Sequence, residues 1–126
     1  MALRGDAGVA LAFGAQRVKV YDLPPVNAAE PYVVIGEDAV DPLVAEGFGG
    51  VQVLTSLHVW SRTTPPGFAE CKAIAAAALD AVAAIDAVDG WRLDFDPTAG
   101  GQRFLPDADG LTAHGVLTVG WTASPA

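Results

Sequence analysis

The stretch VQVLTSLHVW, residues 51–60, decides the fold. Val51, Val53, Thr55, Leu57 and Val59 alternate with Gln52, Leu54, Ser56, His58 and Trp60, and side chains two apart on an extended chain share a face. This period of two predicts a long strand with one strongly apolar face, which needs a covering layer, and one face of mixed polarity. Thr63, Thr64, Pro65, Pro66 and Gly67 end the strand. They also suit a helix start, since threonine caps free amides and proline is accepted in a first turn.

Over residues 68–85 the period changes. Phe68, Cys71, Ile74, Ala75, Ala78, Leu79, Val82 and Ile85 fall on one side of a helix turning roughly 100° per residue. That side is predicted to cover the apolar strand face. The outer side carries Glu70, Lys72 and Asp80 with Ala73, Ala76, Ala77 and Ala81, small residues that let another surface come close.

Toward the amino terminus, PYVVIG at 31–36 is β-branched and aromatic and reads as a strand running on towards Val40. RVKVY at 17–21 alternates and ends at Pro24 and Pro25. Residues 2–13 place Leu3, Ala7, Ala10 and Leu11 at helical spacing, with Gly14 as a stop. Toward the carboxyl terminus, WRLDFD at 91–96, residues 102–106 and residues 111–122 read as strands, the last two joined by DADG at 107–110 with its Asp-Gly hairpin signal. In the last strand Ala113, Leu117 and Trp121 oppose His114, Val116 and Thr118. Residues 123–126 read as a short flexible tail. Helix, three strands, helix, three strands predicts a single α+β domain over 1–126, with an antiparallel or mixed β-sheet and two helices packed on one face.

At 126 residues and 52% hydrophobic, the chain suits one domain with one core. Its net charge of -8 repels phosphates and disfavours specific nucleic-acid binding. The longest apolar run, 73–79, is far short of the roughly 20 residues that span a bilayer. Cys71 is the single cysteine, so no intrachain disulfide and no CxxC zinc site can form.

No sequence feature carries a catalytic motif. His58 and His114 both lie on the polar faces of their strands, and with Asp94 or Asp96 they would make a metal site if the strands were neighbours. No HxH or HExxH spacing supports this, and the bland reading is a pair of hydrogen-bonded strand histidines. Asp107 and Asp109 have half the spacing of a calcium loop without its completion. The glycines at 47–50 and 100–101 lack the lysine and hydroxyl of a phosphate loop. Cys71 on an apolar helix face reads as packing, not as a nucleophile. What stands out is the mixed face, where Leu54, Trp60 and Val116 sit among His58, His114 and hydroxyl residues, a composition suited to contact with another chain.

The succession RVKVYDLPP, PYVVIGED, LHVWSR, GFAECKAIAAAALDAV, WRLDFD and DADGLTAHGVLTVGW resembles the tail terminator, or tail completion, proteins of long-tailed bacteriophages and phage-derived gene transfer agents. The resemblance runs over residues 17–122, and 16 residues precede Arg17 where the family leads one to expect a fuller helix. It implies a non-enzymatic virion protein with no cofactor. Such proteins form a ring of six on the head-proximal end of the tail tube, stop its growth and dock the head-side connector or stopper, with DNA passing through the lumen unbound. The place implied is the neck of a tail, and the neighbouring roles are those of stopper or adaptor. The residues expected at subunit or partner contacts are Trp60, His58, Leu54, His114 and Val116 on the sheet, Ala73 and Ala77 on the helix, and Phe48 in the segment 38–50.

Overall fold

A computed structural model describes residues 2–5, 7–14, 18–42 and 49–126. Phe48, named above as a contact residue, and Arg17, the expected start of the first strand, lie outside them. In chain order the elements are α1 (Ala2–Gly5), α2 (Ala7–Phe13), β1 (Val20–Tyr21), β2 (Tyr32–Pro42), β3 (Val51–Arg62), α3 (Ala69–Ala83), β4 (Ala87–Val88), β5 (Trp91–Asp96), β6 (Gln102–Pro106) and β7 (Thr112–Pro125). The strands form one sheet in the order β1-β2-β3-β7-β5-β4, with β6 also on β7. β1 runs parallel to β2 and the other pairs are antiparallel, so the sheet is mixed and the architecture is α+β.

Two long strands make its centre. β3 and β7 pair from Val51↔Ala123 to Arg62↔Thr112 without a break in register. Along the other edge of β7, β5 covers Gly120 to Pro125 and β6 covers Ala113 to Leu117. Together they act as one strand interrupted by residues 97–101, where Thr118 N–H donates to the Gly101 carbonyl at 2.9 Å. β7 also continues to Pro125, with Ala123 and Ser124 buried. Residues 123–125 are therefore strand, not the flexible tail expected, because Trp91, Arg92 and Leu93 of β5 pair with them.

The odd-numbered residues of β3 and β7 face α3, as the alternation requires. Leu57, Val59, Leu117 and Val119 are buried with Cys71, Ile74, Ala75 and Ala78 of α3. Cys71 Sγ lies 3.7 Å from the Val59 carbonyl, and burial, with a smaller push from Glu70, raises the thiol to about 11. It is a packing residue.

Four local expectations change. The helix begins with Phe68 as its N-cap and no side-chain cap. Thr63 Oγ instead donates to the Pro65 carbonyl at 2.9 Å, so the threonine serves the Pro-rich turn. The expected amino-terminal helix is two, α1 and α2; Leu3 is buried as its spacing implied, but Val9 and Phe13 are the inward residues of α2, while Ala7, Ala10 and Leu11 are exposed. Val9 and Phe13 are four apart and remove more apolar area from water than the alanines would. Because α2 packs along α3, Ala81 of the expected outer face is buried and Ala77 packs against the core. Finally, DG at 89–90 also makes a hairpin, with φ of 40° at Asp89 and 83° at Gly90 joining β4 to β5. Positive φ at both central residues matches the twist of the flanking strands.

Substituting the fully buried Ile74 by alanine is expected to cost about 2–5 kcal/mol of stability. Leu11→Ala, at a side chain 82% exposed, should stay within about 0.5 kcal/mol. Urea unfolding of the isolated chain checks both, and an equal loss at the two positions would place α2 the wrong way round.

Candidate functional site

Among the described residues no helix lies over the even-numbered face of β3 and β7, which holds the histidines. Trp60 and His114 are direct cross-strand partners, and their rings stack at 3.7 Å between centroids and 8° between planes. His58 is paired with Val116, one step along the face. It reaches diagonally to His114, with His58 Nδ1 2.9 Å from His114 Nε2. The two histidine strands are neighbours, and the long unbroken register brings the rings together.

The carboxylate beside them is not Asp94 or Asp96. Those sit on β5 opposite Thr122 and Gly120, well down β7 from His114. Asp94 lies 3.8 Å from Arg92, and Asp96 accepts from the Thr98 N–H and hydroxyl. The nearby carboxylate is Glu37, whose Oε2 is 3.4 Å from His58 Nε2. A bulge puts it there: the pairing passes from Ile35↔Leu57 to Asp38↔Thr55, so β2 has one residue more than β3, and such a bulge re-aims a side chain. Gly36 in the bulge makes room for the ring, since a Cβ there would stand 2.7 Å from His58 Cδ2. The signal in the sequence is Gly36 followed by acidic Glu37 within a β-rich run, and a bulge is not visible in alternation alone.

His58 Nδ1 and His114 Nε2 stand 2.9 Å apart, a hydrogen-bonding distance. The 5.2 Å between the imidazole centroids, at 23° between planes, fits rings meeting nitrogen to nitrogen. Among the described residues there is no group of three or more His, Cys, Asp or Glu able to hold a metal ion.

The remaining expected contact residues are spread out. Val116 is half-buried beside the histidines. Leu54 lies farther along the face, opposite Gly120, where residues Leu54 and Ala99 approach over the glycine. Ala73 is exposed on α3.

A second apolar surface was not anticipated. On the helix-side face, beyond the end of α3, Val40, Val51, Val53, Trp91, Trp121 and Ala123 line part of an open groove of about 450 Å³. Val40 is 60% exposed and Trp91 39%. The period of two assigned Val51 and Val53 to the covered face; it carried no information on where the cover stops.

A family model described as "Tail completion protein gp17" matches residues 1–124. The chain belongs to the tail completion protein gp17 family. The tail completion protein gp17 of Bacillus phage SPP1 is 29% identical over 105 residues, which is 82% of this chain and 75% of that protein. A chain in a structure titled "Virion of native gene transfer agent (GTA) particle" is 28% identical with a TM-score of 0.72, over 99% of this chain and 90% of that one. A tail completion protein with these relatives is a structural component of a phage-type tail.

Electrostatics of the face give a pH signature. Burial, then the neighbouring His58 and Arg103, hold His114 below its ordinary value of 6.5, with Asp107 opposing. As pH falls below 6.5 the unfolded chain takes up this proton before the folded one. Stability from this group is thus full above 6.5 and is lost from there down to the lower folded value. The carboxylates of Glu37, Asp96 and Asp109 are also lowered, chiefly by backbone hydrogen bonding for Glu37 and Asp109 and by the Thr98 hydroxyl for Asp96. Their contributions are lost only below the ordinary values of 4.5 and 3.8. A stability–pH curve of the isolated chain should show a first decline below 6.5, and His114→Gln should flatten that first limb while leaving the acid limb in place.

Proposed function

We propose that this tail completion protein is a tail terminator, six copies of which close a ring on the head-proximal end of the tail tube. The ring ends tube polymerisation and offers the docking surface for the head-side connector. The observation that carries this reading is the uncovered sheet face, where an ordered row of Trp60, His114 and His58 stands half-buried on one domain's surface. Stacked, half-buried aromatic rings are the side chains that dominate protein contacts.

Two further features support it. The apolar groove beyond α3 lies on the opposite side of the sheet from the histidine face, so each copy has two different surfaces, as a ring of head-to-tail contacts needs. The net charge of -8 per chain makes a ring strongly acidic, and DNA would pass through its lumen without adhering. In this reading the chain holds no cofactor and works by contact, not catalysis.

Deleting the gene and imaging the particles tests the role. The expected result is unjoined heads and tails of abnormal length. Unjoined tails of normal length would instead point to a stopper or adaptor at the same neck. Complementation with Trp60→Ala tests the surface: loss of an aromatic contact residue costs about 2 kcal/mol at each contact, roughly thirtyfold in affinity. Joined particles should fall steeply while the isolated variant still unfolds cooperatively. Undiminished joining by that variant would remove this face from the assembly.

A further inference from the structure

The row Glu37, His58, His114 has a property beyond contact. We propose that it is a one-proton relay whose second protonation opens the β2–β3–β7 face, so that the surface is operated by pH. Glu37 Oε2, His58 Nε2, His58 Nδ1 and His114 Nε2 follow one another with gaps of 3.4 and 2.9 Å. With both imidazoles neutral there are two protons to distribute, and one distribution fills every gap. His58 Nε2–H donates to the Glu37 carboxylate, His114 Nε2–H donates to His58 Nδ1, and His114 Nδ1 remains for solvent.

A first added proton fits this line. On His114 Nδ1 it makes an imidazolium that donates more strongly to His58 and lies against the Trp60 ring, whose face attracts cations. A second has no such place. It must go to His58 Nδ1, where two N–H groups would meet across 2.9 Å with like charges on both rings. The bond has to break and the rings part, which also disturbs the Trp60 stack.

Glu37 and the Gly36 bulge of β2 face His58, with Ser56 reaching Glu37 from β3. Trp60 lies on His114, Asp107 favours its charge and Arg103 opposes it. Burial likewise disfavours charge on His114. One exposed carboxylate therefore offsets one imidazolium and not two. That the opened face releases a neighbour rests on the ring reading above; the relay itself is a property of the isolated chain.

The test uses that isolated chain. It has only two histidines, so their four ring nitrogens are distinguishable in two-bond ¹H–¹⁵N spectra titrated from about pH 8 to about pH 4. Expected at the alkaline end are a protonated His114 Nε2 and an unprotonated His58 Nδ1. Two steps separated by more than about one pH unit should follow, with the Trp60 indole resonance moving at the second. His58→Gln and His114→Gln should each leave a single step, and Glu37→Gln should shift the first step to lower pH by removing the anion. Two histidines titrating together as independent sites in the folded wild type, or a Trp60 resonance indifferent to the second step, would overturn the proposal even if the variants do not fold.

Discussion

The pairing of β3 with β7 is the constraint on which the rest depends. Twelve consecutive residues of β3 find partners on β7 in one register. A slip of one residue would exchange every inward and outward side chain, placing His58 and Trp60 under the helix and Leu57 and Val59 in water. Fully burying such aliphatic side chains stabilises by about 1.5–3 kcal/mol each, and several lie on this face. The register is thus held by the core on one side, and the row of rings on the other side inherits its order.

Lengths then decide what is covered. The 15 residues of α3 span roughly 22 Å at 1.5 Å per residue, whereas the 12 of β3 extend roughly 40 Å at 3.3 Å. One helix cannot cover such a strand. α2 packs on α3, and none of its residues lines the groove. Val51, Val53 and Trp91 are left at the rim of a groove, and both this groove and the histidine face follow from a sheet larger than its cover. An assembly protein has a use for that imbalance, since what a monomer leaves uncovered a neighbour can bury.

Membership of the tail completion family was legible in the sequence because its phrases fall on the elements that make the sheet and its cover. LHVWSR ends β3, GFAECKAIAAAALDAV contains most of α3, and DADGLTAHGVLTVGW holds the β6–β7 turn and most of β7. In that turn Asp109 accepts from the Leu111 and Thr112 amides and the Thr112 hydroxyl, all at 2.8 Å, so the turn signal has a physical cause in the side chain of the aspartate. The amino-terminal helix was less legible. Its stripe was read through small alanines, and Val9 and Phe13 outweigh them once a core exists to receive them.

The sequence by itself determined the α+β class, the long central strands and the sorting of their side chains, because alternation and helical spacing are local properties of the chain. It also singled out His58, His114 and Trp60 as residues without a core role. Only the tertiary structure decided that they form a single row, since strand adjacency and register are set by contacts distant in sequence. It replaced Asp94 and Asp96 with Glu37 through a bulge that shifts the period by one. It carried β7 through the expected tail, and it showed where the helical cover ends. Each of these depends on which strand lies beside which, and that is settled by burying the whole core at once.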